Sequence, residues 1–184
     1  MVIKSAVRGL VSAWLCIALA LAQAEPARAQ GSARALTREL ITDEALLRQR
    51  FEGFSEGSDI VIVRDLQHLT LRIPARELFD ADSAQLKPGI VSALPWSAVA
   101  QLLRKRHHIV AQINVYSDRI GLASANQGLT EQRSLVLLAL LHAAGIRPER
   151  VAAAGLGASA PLAGDGTPEG REQNRRIEVV IGRK

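Results

Sequence analysis

Ile109-Val110-Ala111-Gln112-Ile113-Asn114-Val115-Tyr116 reads as a strand, residues 126–144 as a helix, and Val151-Ala152-Ala153-Ala154-Gly155-Leu156 as a second strand. This strand–helix–strand order decides the fold. Gly145 is placed as a helix stop, with Pro148 just beyond it. Working outward, a helix is expected over 89–105 and a last strand over 177–181. Upstream, 60–63 and 69–73 are β-branched and apolar runs separated by 64–68, which reads as a hairpin. Its second strand alternates Leu69, Leu71 and Ile73 with Thr70 and Arg72, and Pro74 ends it. The whole order predicts an α+β fold, a mixed sheet with helices packed on one face. Gly155, Gly157, Pro161, Gly164, Gly166, Pro168 and Gly170 predict a long irregular loop before the last strand.

At 184 residues the chain suits one domain with a real core. Residues 1–24 read as a secretory signal: Lys4 and Arg8, an uncharged apolar run from Gly9, then Ala22-Gln23-Ala24 as a small-x-small cleavage site. The run ends at Ala22 and falls short of the roughly 20 residues that cross a bilayer as a helix, so cleavage is expected. Ala27-Arg28-Ala29 offers a second site, and retention of the run as an anchor is the alternative. Cys16, the only cysteine, lies inside the run behind Trp14 and Leu15, where a lipidated cysteine needs small neighbours. It reads as apolar filler, which leaves the mature chain without thiol chemistry.

Residues 25–34 are rich in Ala, Arg, Gln, Gly and Ser and read as a linker. Leu36, Leu40, Ile41, Leu46, Leu47 and Phe51 then recur at helical spacing, so 25–57 is expected to be linker plus a short amphipathic helix, and 58–184 the folded domain.

The net charge is +5, but without Lys4 and Arg8 there remain 21 basic against 18 acidic side chains, or +3. Export and a mature part with five aromatics argue against nucleic acid as a partner. The run Arg104-Lys105-Arg106-His107-His108 reads as a solvated helix end, where cations favour the C-terminus.

Catalytic chemistry finds no footing. His68, His107, His108 and His142 lie in different elements without ligand-like spacing, no serine sits in a nucleophile elbow, and Gly155-Leu156-Gly157 leads into a loop. No metal and no cofactor is implied. What stands out is Tyr116-Ser117-Asp118-Arg119-Ile120-Gly121, then Asn126-Gln127-Gly128-Leu129-Thr130-Glu131-Gln132-Arg133. Asp118 falls just after a strand, and Asn126 is expected as the N-cap of a helix carrying Leu129 and Arg133 on one face. Such a carboxylate and guanidinium around one cavity complement a zwitterion, one receiving an ammonium and the other a carboxylate. The same spacing also fits a plain surface ion pair worth about 0–1 kcal/mol.

These residues belong to a longer ordered set. It comprises Leu78-Phe79 with Ser83-Ala84-Gln85-Leu86-Lys87-Pro88; Ser117-Asp118 with Gly121; Asn126, Leu129, Thr130 and Arg133; Gly145-Ile146 with Arg150-Val151; Gly155, Gly157 and Pro161; and Thr167, Gly170-Arg171 with Asn174-Arg175-Arg176-Ile177-Glu178. In this set, over about residues 58–183, the sequence resembles the OmpA-like peptidoglycan-binding family shared by OmpA C-termini, Pal lipoproteins and MotB stators.

The resemblance implies a βαβαβ-type sandwich and a non-enzymatic, periplasmic wall anchor associated with the outer membrane or the cell wall. It implies that Asp118 and Arg133 grip the free amino-acid end of diaminopimelate in the peptide stem. Asn126, Ser117 and the backbone around Phe79 and Asp80 would line the same pocket.

Two departures stand out: Val115-Tyr116-Ser117-Asp118 replaces the family's Gly-His-Thr-Asp, which predicts an altered rim, and Ala158 replaces a glutamate that would partner nearby arginines. Arg175 and Arg176 read as partners of acids such as Glu178 or of loop carbonyls. Two other readings share the fold: a degenerate scaffold whose 36–51 helix and pocket contact another envelope protein, and a membrane-anchored, stator-like protein that keeps its apolar run.

Overall fold

The computed structural model describes residues 31, 33–35, 37–49, 59–89 and 94–183. The signal and anchor expectations, which concern 1–29, lie outside the described residues. The chain divides into two units, Met1–Glu39 and Leu40–Lys184. In the first, residues 31 and 33–35 are helical where composition suggests a linker, 37–39 are helical as expected, and the Thr37 hydroxyl donates to the Ala33 carbonyl one turn back. Alanine and arginine are strong helix formers, and that propensity outweighs the polar composition here.

In the second unit, helix α1 covers 40–49. Strands β1 (Val61–Arg64) and β2 (His68–Pro74) form the expected hairpin, followed by a short helix α2 (Ala75–Leu78) and helix α3 (Leu94–Lys105). Then come β3 (Ile109–Val115), α4 (Ala123–Ala143), a single 3-10 turn (Pro148–Arg150), β4 (Val151–Gly155), α5 (Pro168–Asn174) and β5 (Arg176–Arg183). The sheet order is β1-β2-β5-β3-β4, with β3 and β4 parallel and every other pair antiparallel. The fold is therefore mixed α+β, as the strand–helix–strand order requires.

Register explains the core. Leu71, Val179 and Ile113 stand side by side across β2, β5 and β3, and so do Ile73, Ile177 and Val115. All six are fully buried, whereas the alternate residues Thr70, Arg72, Gln112 and Val180 are half-exposed. One face is thus covered by helices, each fully buried Leu, Ile or Val contributing about 1.5–3 kcal/mol. From above, α4 presents Thr130, Arg133, Ser134, Leu137 and Leu141 at helical spacing, all buried.

Helix α1 also belongs to this unit. Leu40 and Leu47 are buried, and the nearly inaccessible Asp43 carboxylate accepts two bonds from Arg106, at 3.1 and 3.0 Å. Arg48 donates to the Ile62 carbonyl and Arg64 to Glu44. The basic run at 104–108 is therefore only partly a solvated helix end, because Arg106 is taken up by Asp43 and Arg104 by the Ala144 carbonyl.

Candidate functional site

Three segments meet beyond the end of β3. The first, residues 79–87, closes on itself: Phe79 and Leu86 form an antiparallel bridge, and the Lys87 N–H donates to the Leu78 carbonyl at 3.0 Å. Asp82 turns the chain with a φ of 51°, in the left-handed region. Arg133 braces this loop from α4, its Nε donating to the Ser83 carbonyl at 2.8 Å and its Nη2 to the Asp80 carbonyl at 2.9 Å. Its guanidinium carbon lies 5.0 Å from the centroid of the buried Phe79 ring. Those two bonds use two of the five guanidinium N–H donors. Burial pushes the Arg133 pKa down, Asp82 pulls it back up, and the Arg175 charge adds to the depression; an arginine stays protonated through all of this.

The second segment carries Asp118, which is 7% exposed. Its Oδ1 accepts from the Ile120 N–H at 3.0 Å, and its Oδ2 accepts from Arg175 Nη1 at 2.6 Å. Asn126 Nδ2 donates to the carbonyls of Asp118 and Ile120, at 3.1 and 2.9 Å. Asn126 is thus not the N-cap: α4 begins at Ala123, with Leu122 in the cap position and no side-chain cap bond. Ala123 and Ala125 favour an earlier start, which frees the Asn126 amide to tie the loop to the first turn. Ser117 donates its N–H to the Gly157 carbonyl at 2.9 Å, while its buried Oγ has no hydrogen-bond partner among the described residues. The Asp80 side chain is exposed, and its carbonyl is the part that engages Arg133.

The third segment is the junction of α5 and β5, in the stretch expected to be an irregular loop. Thr167 caps α5 by accepting from the Gly170 N–H, and Pro168 takes the first helical position. A Cβ at Gly170 would lie 2.0 Å from the Gly164 carbonyl oxygen, so that glycine marks a close approach within a compact turn. Asn174, fully buried, holds the loop by accepting from the N–H groups of Leu162 and Ala163 and donating to Ala163 and Asp165.

Arg175 follows. Besides Asp118 it binds Glu172 Oε2, through Nε at 3.2 Å and Nη2 at 2.6 Å. Burial pushes the Arg175 pKa down, but its bonds to Glu172 and Asp118 outweigh this and the net shift is up. Burial likewise pushes Glu172 up, and Arg175 and Arg76 outweigh it, leaving the carboxylate below its ordinary range. Beside Arg175 opens a cleft of about 750 Å³ lined by Val61, Pro74, Arg76, Glu172 and Arg176 among others.

Asp118 and Arg133 therefore do not pair with each other. Each is held by its own partners at the same end of the sheet, with Asn126 and Ser117 on the Asp118 side and Asp80 on the Arg133 side. Spacing alone missed the Ser83 carbonyl, the Arg175 partnership and Glu172. Arg175 was legible as a partner for acids; which acid depends on the α5 turn.

The two bulkier residues of the expected rim are both buried. Val115 is fully buried and Tyr116 is 7% exposed, with the Arg176 guanidinium 3.8 Å over the Tyr116 ring. Arg176 also binds Glu178 and the Ala160 carbonyl. Gly155 is needed for packing, since a Cβ there would lie 2.1 Å from the Glu131 nitrogen on α4. Among the described residues, no group of three or more His, Cys, Asp or Glu side chains could hold a metal ion. No helix among them is long and apolar enough to cross a membrane.

The OmpA family pattern matches residues 78–175, which takes in all three segments, and the chain belongs to that family. The probable lipoprotein YiaD of Escherichia coli is 30% identical over 138 residues, which are 75% of this chain and 60% of that protein. The peptidoglycan-binding protein ArfA of Mycobacterium bovis is 36% identical over 103 residues, 56% of this chain and 31% of that one. The chain thus spans less than two thirds of either relative. Among solved structures, a putative MotB-like protein from Desulfovibrio vulgaris superposes with a TM-score of 0.73 at 28% identity, covering 83% of this chain and 99% of that one.

Proposed function

We propose that the protein binds peptidoglycan non-covalently and without turnover, through the zwitterionic end of the stem-peptide diaminopimelate, and so anchors an envelope component to the wall from the periplasm. Asp118 receives the ammonium and Arg133 the carboxylate. The observation that carries this reading is the pair of nearly inaccessible, opposite charges held by separate partners at one end of the sheet, Asp118 at 7% and Arg133 at 5% exposure. A carboxylate offers about four acceptor positions and Asp118 uses two, while Arg133 uses two of its five N–H donors. Membership of the OmpA family and the peptidoglycan binding named for ArfA support peptidoglycan as the partner.

Residues 1–24 serve as the export signal and 25–57 as tether and helix in this reading, with an outer-membrane or wall-facing location. Affinity per site is modest, because one charged pair offsets the loss of translational freedom by only a few kcal/mol. The scaffold reading would use α1 differently, and there Leu40 and Leu47 are buried while Ile41 is exposed.

The reading is tested by titrating the labelled protein with a soluble stem peptide ending in diaminopimelate and following backbone amides by NMR. Shifts confined to 79–83 and 117–121 are expected; shifts elsewhere, or none, would overturn it.

A further inference from the structure

We propose that Arg175 is the resident counter-ion of Asp118, that the ligand's ammonium takes its place, and that this exchange restricts the site to net-neutral zwitterions. The inference rests on the function proposed above and adds a specificity-determining residue to it.

Four observations carry it. Arg175 Nη1 occupies Asp118 Oδ2 at 2.6 Å, so one of the two carboxylate oxygens is already charge-paired before any ligand arrives. Arg175 has a second carboxylate within reach, because Glu172 Oε2 already accepts from its Nε and Nη2. Leaving Asp118 therefore costs Arg175 one of two ion pairs instead of stranding a buried charge. The Arg175 side chain is 40% exposed and lines the 750 Å³ cleft, which gives the guanidinium room to withdraw. Its backbone is fixed meanwhile, the carbonyl accepting from the Ala75 N–H at 2.8 Å and its own N–H donating to the Arg171 carbonyl at 3.0 Å. The exchange is thus a side-chain rotation.

The charge balance then sets the selectivity. Asp118 and Glu172 carry two negative charges, Arg133 and Arg175 two positive ones, and Arg76, which also binds Glu172, is offset by Asp59. A bare amine that displaces Arg175 leaves an uncompensated cation beside two guanidinium groups, which repel it. A bare carboxylate has nothing with which to displace Arg175. A ligand carrying both groups keeps the sum at zero, its carboxylate offsetting Arg133 and the released Arg175. Arg175 acts by excluding half-matched ligands, a form of specificity by repulsion.

The test is calorimetric titration of the full chain with three probes: meso-diaminopimelate, the diamine cadaverine and the diacid glutarate. The wild type is expected to bind diaminopimelate and to discriminate at least about tenfold against the other two. In Arg175→Gln the Asp118 charge is exposed, so cadaverine binding rises about five- to tenfold and the discrimination narrows. In Glu172→Gln the guanidinium has nowhere else to pair, so diaminopimelate binding weakens several-fold.

An Arg175→Gln protein that loses diaminopimelate without gaining cadaverine would make Arg175 a ligand contact or a structural tie and overturn the proposal. Independently of any variant, the Arg175 Nε–H resonance of the wild type is expected to move on saturation with diaminopimelate, and an unmoved resonance overturns the exchange. Asp118→Asn separates the two levels of inference. If the wild type binds and Asp118→Asn does not, failure of the Arg175 expectations leaves the site standing; if the wild type does not bind, both fall.

Discussion

Arg133 and Arg150 are each 5% exposed, each donates to backbone carbonyls, and each has its pKa lowered first by burial. They sit near opposite ends of β3. Arg150 gives Nε to the Ile109 carbonyl at 2.6 Å and Nη2 to Leu103 and Arg106 at 3.0 and 2.6 Å. It thereby satisfies carbonyls at the C-terminus of α3 and fixes where β3 begins. Arg133 braces a loop with two bonds, and the carboxylate of Asp118 waits in the neighbouring segment on a partner of its own. Burial and carbonyl bonding therefore do not distinguish a structural arginine from the one proposed to bind. On the function proposed above the difference lies in the kind of acid nearby: Asp118 is buried, whereas Glu149 beside Arg150 is exposed and paired with Arg147.

That comparison can be broken in several ways. Arg150→Ala leaves three carbonyls, two of them at buried contacts, without their charged donor and is expected to destabilise by about 3–4 kcal/mol in urea unfolding, the largest loss here. The molecules that remain folded should still sediment with peptidoglycan. Arg133→Ala is expected to reverse the pattern, with wall affinity down at least about tenfold and a smaller stability loss near 2 kcal/mol. Equal binding losses for the two variants would erase the distinction.

Asp43→Asn weakens the clamp of α1 on Arg106 and is expected to cost about 1–2 kcal/mol, visible as faster hydrogen exchange in 40–49 with wall binding unchanged. The smallest effect concerns Glu172. Its folded pKa lies below the ordinary value of 4.5, so its contribution is fully present above that value and is lost as the pH falls through the folded pKa. The melting-temperature gap between wild type and Glu172→Gln should be open at neutral pH and close in the acid limb. A gap independent of pH would mean that Glu172 acts through packing.

Much of this was legible in the sequence. The strands of the hairpin, β3 and β4 follow from apolar alternation and length, and the helix stop at Gly145 from its position, where φ is 82°. Asp118 and Arg133 stood out as a carboxylate just past a strand and a cation on a helix face. Helix α5 was hidden because Gly164, Gly166, Pro168 and Gly170 punctuate the stretch, and only the folded loop shows Gly170 admitting a close carbonyl and Pro168 opening a helix. With α5 went Glu172, and with Glu172 the choice of acid for Arg175. Asn126 was placed at the cap because Asn favours that position, whereas two alanines start the helix three residues sooner. The burial of Tyr116 was not legible, because spacing cannot say that Arg176 will lie over its ring.

The most direct test of the central claim is co-sedimentation of the purified protein with insoluble, diaminopimelate-type peptidoglycan, run beside Asp118→Asn and checked for unchanged folding by circular dichroism. The account requires that the wild type enter the pellet and that the variant stay in the supernatant. A folded Asp118→Asn protein that pellets as the wild type does would contradict it.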